Sequence, residues 1–455
     1  MLEYHTDWLA STPVFYNEKS GKVSNNINDV IDYVNLEFDP EGFNNYLDFG
    51  YSVFEQTPIK HVKFLRHSSK IVKGDSGELK ITLLDDPSIK YLEKVTNEDE
   101  IINLLQSKIN IWESSVDGEI VIPTSGGYDS RLLNHLISDK NRIRSFTYGI
   151  SSNQAKSYEV VFASKLAEIL KIKWEQIQLK EFHDYFKEWN SLFGISTHAH
   201  GMYHIEFYKK ISSRVKGNNH LLSGIIGDAW AGNWSINPIS NASEVQVLGC
   251  NHDINANSNF SKFKNKNKYL LEKYYNENAY LLLNSEKYRI IQAMRLKMIL
   301  LSYLIKIPDN IGFKAWSPFL DVEVALGMLN LPPERRINRI WQKEYFQKNR
   351  ICLEEMNLKY STQNTLDLQG IRNVRPPELN VKILGEYIQP NYIEWVNQKV
   401  AHFMGIRYLF ERMLYVPKIG GLLSRAGVKK EVIQAYNAYL TLKPIEELLI
   451  KRNSA

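Results

Sequence analysis

Cysteine is nearly absent from this chain: Cys250 and Cys352 are its two among 455 residues. Two cysteines cannot build a disulfide framework or a cysteine-rich zinc site, and their scarcity fits a reduced compartment, expected to be the cytoplasm. Long apolar runs are missing too. Stretches such as MILLSYL at 298–304 fall far short of the ~20 residues that cross a bilayer. The N-terminus, MLEYHTDWLAS, has no basic region followed by an apolar one, so no secretory signal is expected. Charge of one sign is also scarce. The net charge is +5, with Lys and Arg interspersed among Asp and Glu, which excludes a blocked basic arm and gives no reason to expect a nucleic-acid or membrane partner. No Gly-x-x-x-x-Gly-Lys-Ser/Thr occurs, so a Walker-type phosphate loop is excluded. What remains is an ordinary globular composition, 44% hydrophobic and 24% charged, long enough for two or three domains.

Residues 1–95 read as short strands and turns. Pro13-Val14-Phe15-Tyr16 runs into the polar Asn17-Glu18-Lys19-Ser20-Gly21, a hairpin signal. Leu79, Ile81 and Leu83 alternate with Lys80 and Thr82, the period of a strand. Thr96 is then the expected N-cap of a helix whose first turn holds Glu98, Asp99 and Glu100. From there strands and helices alternate: strands at 119–124, 144–148, 174–179 and 220–223, with an amphipathic helix at 158–170. That order predicts a doubly wound parallel α/β sheet. Beyond about 255 the pattern is mostly helical. Residues 251–267, rich in Asn, Ser and Lys, read as an exposed loop, and the last 35 residues as a basic helical cap packed on the fold.

The most informative segment is Ser125-Gly126-Gly127-Tyr128-Asp129-Ser130, between a strand and a helix. Gly126 and Gly127 lack Cβ, so their backbone N–H groups can approach an anion closely. The helix that follows aims its unpaired N–H groups at the same point. Ser125 and Ser130 add hydroxyl donors. Asp129 would repel a bare phosphate, so its expected task is to hold Mg²⁺ on the phosphate oxygens.

The loop resembles that of the ATP-pyrophosphatase enzymes, and further segments narrow the resemblance to the asparagine synthetase and β-lactam synthetase family. Ser145-Phe146-Thr147-Tyr148-Gly149, Glu159 on its helix, Leu222-Ser223-Gly224-Ile225-Ile226-Gly227-Asp228, Ser317-Pro318-Phe319-Leu320-Asp321, and Leu331-Pro332-Pro333 with the later Lys343 follow the family's order across about 96–360. The resemblance implies ATP on Ser125, Gly126, Gly127, Asp129, Ser130, Phe146, Thr147, Gly149 and Gly224. It implies Mg²⁺ on Asp129 and Asp228, and Lys343 as the catalytic cation. Asp321 either shapes the substrate side or caps a helix. Ile225 and Ala229 stand where the family carries acids, which argues against free-standing asparagine synthesis.

Residues 1–95 resemble the second half of a class II glutaminase domain, with Leu2 where the active enzymes carry the nucleophilic cysteine. The division expected is therefore 1–95, a degenerate glutaminase-like unit, and 96–455, the synthetase unit. The expected reaction is adenylation of a carboxylate, with AMP and pyrophosphate formed, followed by attack of ammonia or an amine, which a separate glutaminase could supply. A uronic acid-type sugar is the first choice of substrate. A β-lactam- or lasso-type cyclase and a non-catalytic ATP-binding subunit are the rivals. His198, His200 and His204 read as pocket lining, ordinary structure or a zinc site, and Trp230 and Trp234 as pocket walls or core.

Overall fold

The computed structural model describes residues 2–455 apart from 76, 218, 250–254, 264–267 and 404. Cys250 and parts of the 251–267 stretch thus lie outside the described residues.

Three sheets organise the chain. β1 (Leu2–Thr6), β5 (Ser69–Lys73) and β6 (Leu79–Leu83) pair antiparallel in the order β1-β5-β6. β2 (Phe15–Asn17), β3 (Val23–Ser24) and β4 (Val62–Phe64) form a second antiparallel sheet in which the expected hairpin is β2-β3. β6 forms where the sequence alternates, but burial does not follow the alternation: Ile81 and Leu83 are exposed on this edge strand. The N-terminal region does not stand apart from the rest. Trp8 Nε1 donates to Leu320 O at 2.8 Å, Tyr46 Oη to Thr441 O at 3.1 Å, and one apolar core runs from Trp8 to Leu449.

The third sheet is parallel: β7 (Ile120–Pro123), β8 (Ile143–Thr147), β9 (Lys173–Gln176), β10 (Asn219–Leu222) and β11 (Phe313–Trp316), ordered β11-β10-β7-β8-β9. The chain winds outward through β8 and β9, then returns to the other side of β7. That reversal separates the ends of β7 and β10 into a crevice, the place where open α/β sheets bind ligands. β7 buries Ile120, Val121 and Ile122 completely or nearly so, as a central parallel strand covered on both faces must. Strand β11, only four residues of mixed burial at the edge, carries too little periodicity to be read from sequence.

Helix ends follow capping chemistry. The helix Glu98–Ser115 starts one residue later than expected. Asn97, not Thr96, is its N-cap and forms a capping box with Glu100, while Thr96 Oγ1 donates to Gly327 O at 2.6 Å. The helix Tyr158–Leu170 lies where its amphipathic pattern predicts. At the C-terminus, the helix Glu431–Ser454 is packed into the core through Tyr436, Leu440, Ile445 and Leu449, as a cap should be. The exposed basic surface lies just before it.

Candidate active site

The loop after β7 is held from behind. Gly126 has φ +70°, and a Cβ there would fall 2.4 Å from Phe162 Cβ, so glycine is required both for the turn and for close contact with the helix Tyr158–Leu170. Fully buried Arg131 donates to Gly126 O at 2.8 Å and forks onto both carboxylate oxygens of Glu354 at 2.8 Å. Ser130 Oγ accepts from Ser125 N at 3.3 Å, and Ser125 Oγ from Gly127 N at 3.2 Å. The helix Tyr128–Leu136 begins at Gly127 with no side-chain cap. Its first N–H groups are therefore available to an anion in the crevice.

The loop after β10 closes on the first. A Cβ on Gly227 would lie 2.8 Å from Asp129 Cγ, so only glycine admits the carboxylate here. Ile226, the residue before it, is held at φ +55°. A β-branched residue in the left-handed region is strained, and such strain collects at functional sites. Asn338 (φ +52°) and Arg339 (φ +55°) repeat the pattern just before the helix Ile340–Lys348. They turn the Arg339 guanidinium into the crevice, 3.6 Å from Asp129 Oδ1, 4.0 Å from Asp228 Oδ2 and over the Tyr128 ring.

Asp129 and Asp228, from two separate crossovers, thus converge on one cation. Burial pushes the Asp129 carboxyl up to about 7; Arg339 opposes that shift and Asp228 adds to it. Asp129 Oδ1 is buried with no hydrogen-bond partner among the described residues, and buried Gln342 faces the same carboxylate.

The crevice has a volume of about 440 Å³ and is lined by Ser125, Gly127, Asp129, Ser130, Phe146, Thr147, Gly224 and Arg339. Thr147 Oγ1 donates to Thr124 O and accepts from Trp174 Nε1 at 3.0 Å, which fixes the wall at the end of β8. Gly126 and Gly149 do not line the crevice. They let the chain turn behind it, since a Cβ on Gly149 would lie 2.3 Å from Gln154 O. Asp228 stands at the rim, with 39% of its side chain exposed. Lys343 is exposed on the helix beyond Arg339 and does not line the crevice. Of these two cations, Arg339 is the one that lines the crevice. No residue type flags Arg339 in the sequence; the left-handed pair at 338–339 aims it.

The inner end of the crevice reaches Tyr148, His204, Phe207, Tyr208, Ile225 and Leu304. Tyr148 Oη lies 3.4 Å from His204 Nε2. Burial lowers His200 to about 4 and His204 to about 3, so both imidazoles are neutral near pH 7. Among the described residues no three His, Cys, Asp or Glu side chains converge as metal ligands, so the zinc reading of the histidines finds no support. Asp321 caps the helix Val322–Leu329 through Glu323 N and Val324 N and pairs with Lys108 at 2.9 Å. Trp230 is core, packed near Trp8 and donating to Phe319 O; Trp234 lies under Lys297.

Residues 116–349, just over half of the sequence, match the Asparagine synthase family. The chain belongs to that family. A search of curated proteins returned no match. Asparagine synthase membership makes the protein, in general terms, an ATP-dependent carbon–nitrogen ligase. The matched span holds β7 to β11, both crevice loops and Arg339; residues 1–115 and 350–455 lie outside it.

Proposed function

We propose that this asparagine synthase family member adenylates a carboxylate and passes the acyl group to ammonia or an amine. The carrying observation is the meeting of Asp129, Asp228 and Arg339 at the uncapped start of the helix Tyr128–Leu136. The chemistry of these groups fits Mg·ATP. An orphaned buried carboxylate oxygen on Asp129 and a rim carboxylate on Asp228 supply two hard oxygen ligands. Magnesium keeps water and phosphate oxygens as its other partners, so a two-carboxylate site suffices. Bound Mg²⁺ would screen the phosphate charges. The free N–H groups of residues 128–130 and the guanidinium of Arg339 would bind the phosphates, and Phe146, Thr147 and Tyr148 would receive the base.

In the proposed reaction a carboxylate oxygen of the substrate attacks the α-phosphorus, and the bond to pyrophosphate breaks. The amine nitrogen then attacks the acyl carbon, AMP leaves with the C–O electron pair, and the nitrogen loses a proton. Arg339 neutralises charge on the departing pyrophosphate, as preorganised cations do in such sites. In this reading residues 1–95 are a degenerate glutaminase-like β unit and 96–455 the synthetase unit, the two sharing one apolar core.

The inner wall bears on the substrate. Neutral His204, Tyr148 and Tyr208 offer hydrogen bonds and aromatic faces but no charge, and Ile225 adds an apolar side. That lining suits a substrate whose only ionised group is the carboxylate being activated and whose body carries hydroxyls. A uronic acid-type sugar has that form; besides Asp129, the acid on the crevice wall is Glu159, whose carboxyl is raised by burial. The test incubates the protein with Mg·ATP, ammonia and a panel of sugar acids. Expected are pyrophosphate, AMP and a product in which NH₂ replaces the carboxyl OH. ADP and phosphate as products would overturn the mechanism. Loss of one water within a single substrate would replace amidation by cyclisation.

A further inference from the structure

Outside the matched family region, the surface just before the last helix differs from the rest of the molecule. The helices Ile406–Met413 and Pro417–Arg425 and the turn between them expose Leu409 (60%), Phe410, Met413, Val416, Ile419 and Leu422 (69%). From Phe410 onward they recur at every third residue across the two helices and the turn between them. Tyr408 and Leu414 face inward and anchor the helices to the fold. Other exposed large apolar side chains are spread along the sequence from Leu2 to Ile450.

Charge is concentrated in the same place. Residues 405–430 hold six Lys and Arg and a single acid, Glu411, so this short segment carries a net charge equal to the +5 of the whole chain. Glu411 is buried, whereas Arg412, Lys418, Arg425, Lys429 and Lys430 are exposed. Beneath Leu409 lies a cavity of about 570 Å³ lined also by Arg372, Arg375, Phe403 and Tyr408, with Arg372 over the Tyr408 ring.

Exposed apolar residues ringed by cations mark an interaction surface. Lysine is depleted in the cores of protein interfaces, where its strongly hydrated ammonium is costly to bury. It suits phosphate headgroups, because its stem can lie along the apolar layer while the ammonium stays in water. No helix among the described residues is long and apolar enough to cross a membrane, so the fit is to a surface rather than a span. We propose that residues 405–430 dock this protein on an anionic phospholipid bilayer, with Leu409, Phe410, Met413, Ile419 and Leu422 entering the headgroup boundary and the lysines and arginines pairing with lipid phosphates. The net charge of the whole chain does not flag this segment; its six Lys and Arg are close together in sequence, and the fold decides that the apolar side chains between them stay exposed.

The experiment is co-sedimentation of the full-length protein with vesicles of phosphatidylcholine alone or with about one-third phosphatidylglycerol. Binding to the anionic vesicles only, weakened by salt, is expected. L409D/L422D changes two exposed side chains and should lower the partition coefficient at least about tenfold, while circular dichroism, thermal midpoint and pyrophosphate release stay as in the parent. K418E/K429E should lose about tenfold on anionic vesicles. Absence of sedimentation, or sedimentation unchanged by L409D/L422D, would overturn the proposal. So would concentration-dependent dimerisation that Leu422→Asp abolishes in a protein that ignores vesicles, which would assign the surface to a second copy of the chain.

Discussion

Two carboxylates in this protein are lifted by burial to about 7, and they sit in opposite surroundings. Asp129 stands in the crevice, with Asp228 and Arg339 converging on it and an uncapped helix start beside it. Glu411 lies under the exposed C-terminal helices, where Glu431 raises it further and Lys399 and Lys430 oppose the shift. Each has an oxygen without a hydrogen-bond partner among the described residues. A raised carboxyl alone therefore does not mark a site. What separates the two is convergence: strained backbone at Ile226, Asn338 and Arg339 directs groups toward Asp129, whereas the cations near Glu411 belong to an outward-facing surface.

Breaking that contrast should be easiest at Asp129. Asp129→Ala is expected to lower pyrophosphate release about 10³-fold, measured with a coupled phosphate assay, while the fold holds or gains stability because a buried charge is gone. Normal turnover in this variant would remove Asp129 from the site. Next comes the choice of cation. Arg339→Ala should cost about 10²-fold in kcat/KM, whereas Lys343→Ala, which removes an exposed charge, should cost less than about fivefold. The reverse order would return the catalytic cation to Lys343. Gly227→Ala should reduce kcat about tenfold by pushing Asp129 aside, with a smaller change in thermal midpoint than in rate.

The smallest effect belongs to Glu411. Its folded carboxyl titrates near 7, above the ~4.3 of an unfolded chain. The fold thus favours the protonated form, and the ionised form progressively costs stability as pH rises from about 4 to about 7. Glu411→Gln should raise the thermal midpoint by about 1–3 °C at pH 8, and the gain should vanish toward pH 4. A pH-independent gain would show that packing, not charge, is at work. Pyrophosphate release by this variant should match the parent, which sharpens the contrast with Asp129.

Much of the fold was legible. β7, β8 and β10 are short β-branched or apolar runs ending at glycine or a small polar residue, and each lies within one or two residues of its expected span. The helix Tyr158–Leu170 announces itself by its apolar face. Thr96 and Asn97 are both capable caps in sequence; Gly327 O, distant in sequence, takes the threonine hydroxyl and leaves the cap to Asn97. Arg131, on an amphipathic helix, reads in sequence as part of a solvated face; Glu354, 223 residues away, is what makes it a buried brace for the loop.

By itself the sequence determined local chemistry: two glycines and flanking serines that open a helix toward an anion, an aspartate that requires a cation, and a strand-helix alternation that requires a parallel sheet. These follow from neighbours along the chain. The tertiary structure decided what depends on distance through space. It brought Asp228 and Arg339 to Asp129, turned Lys343 outward and buried the histidines of the inner wall. Strand order and a few left-handed residues control those encounters, and neither is encoded in any single segment.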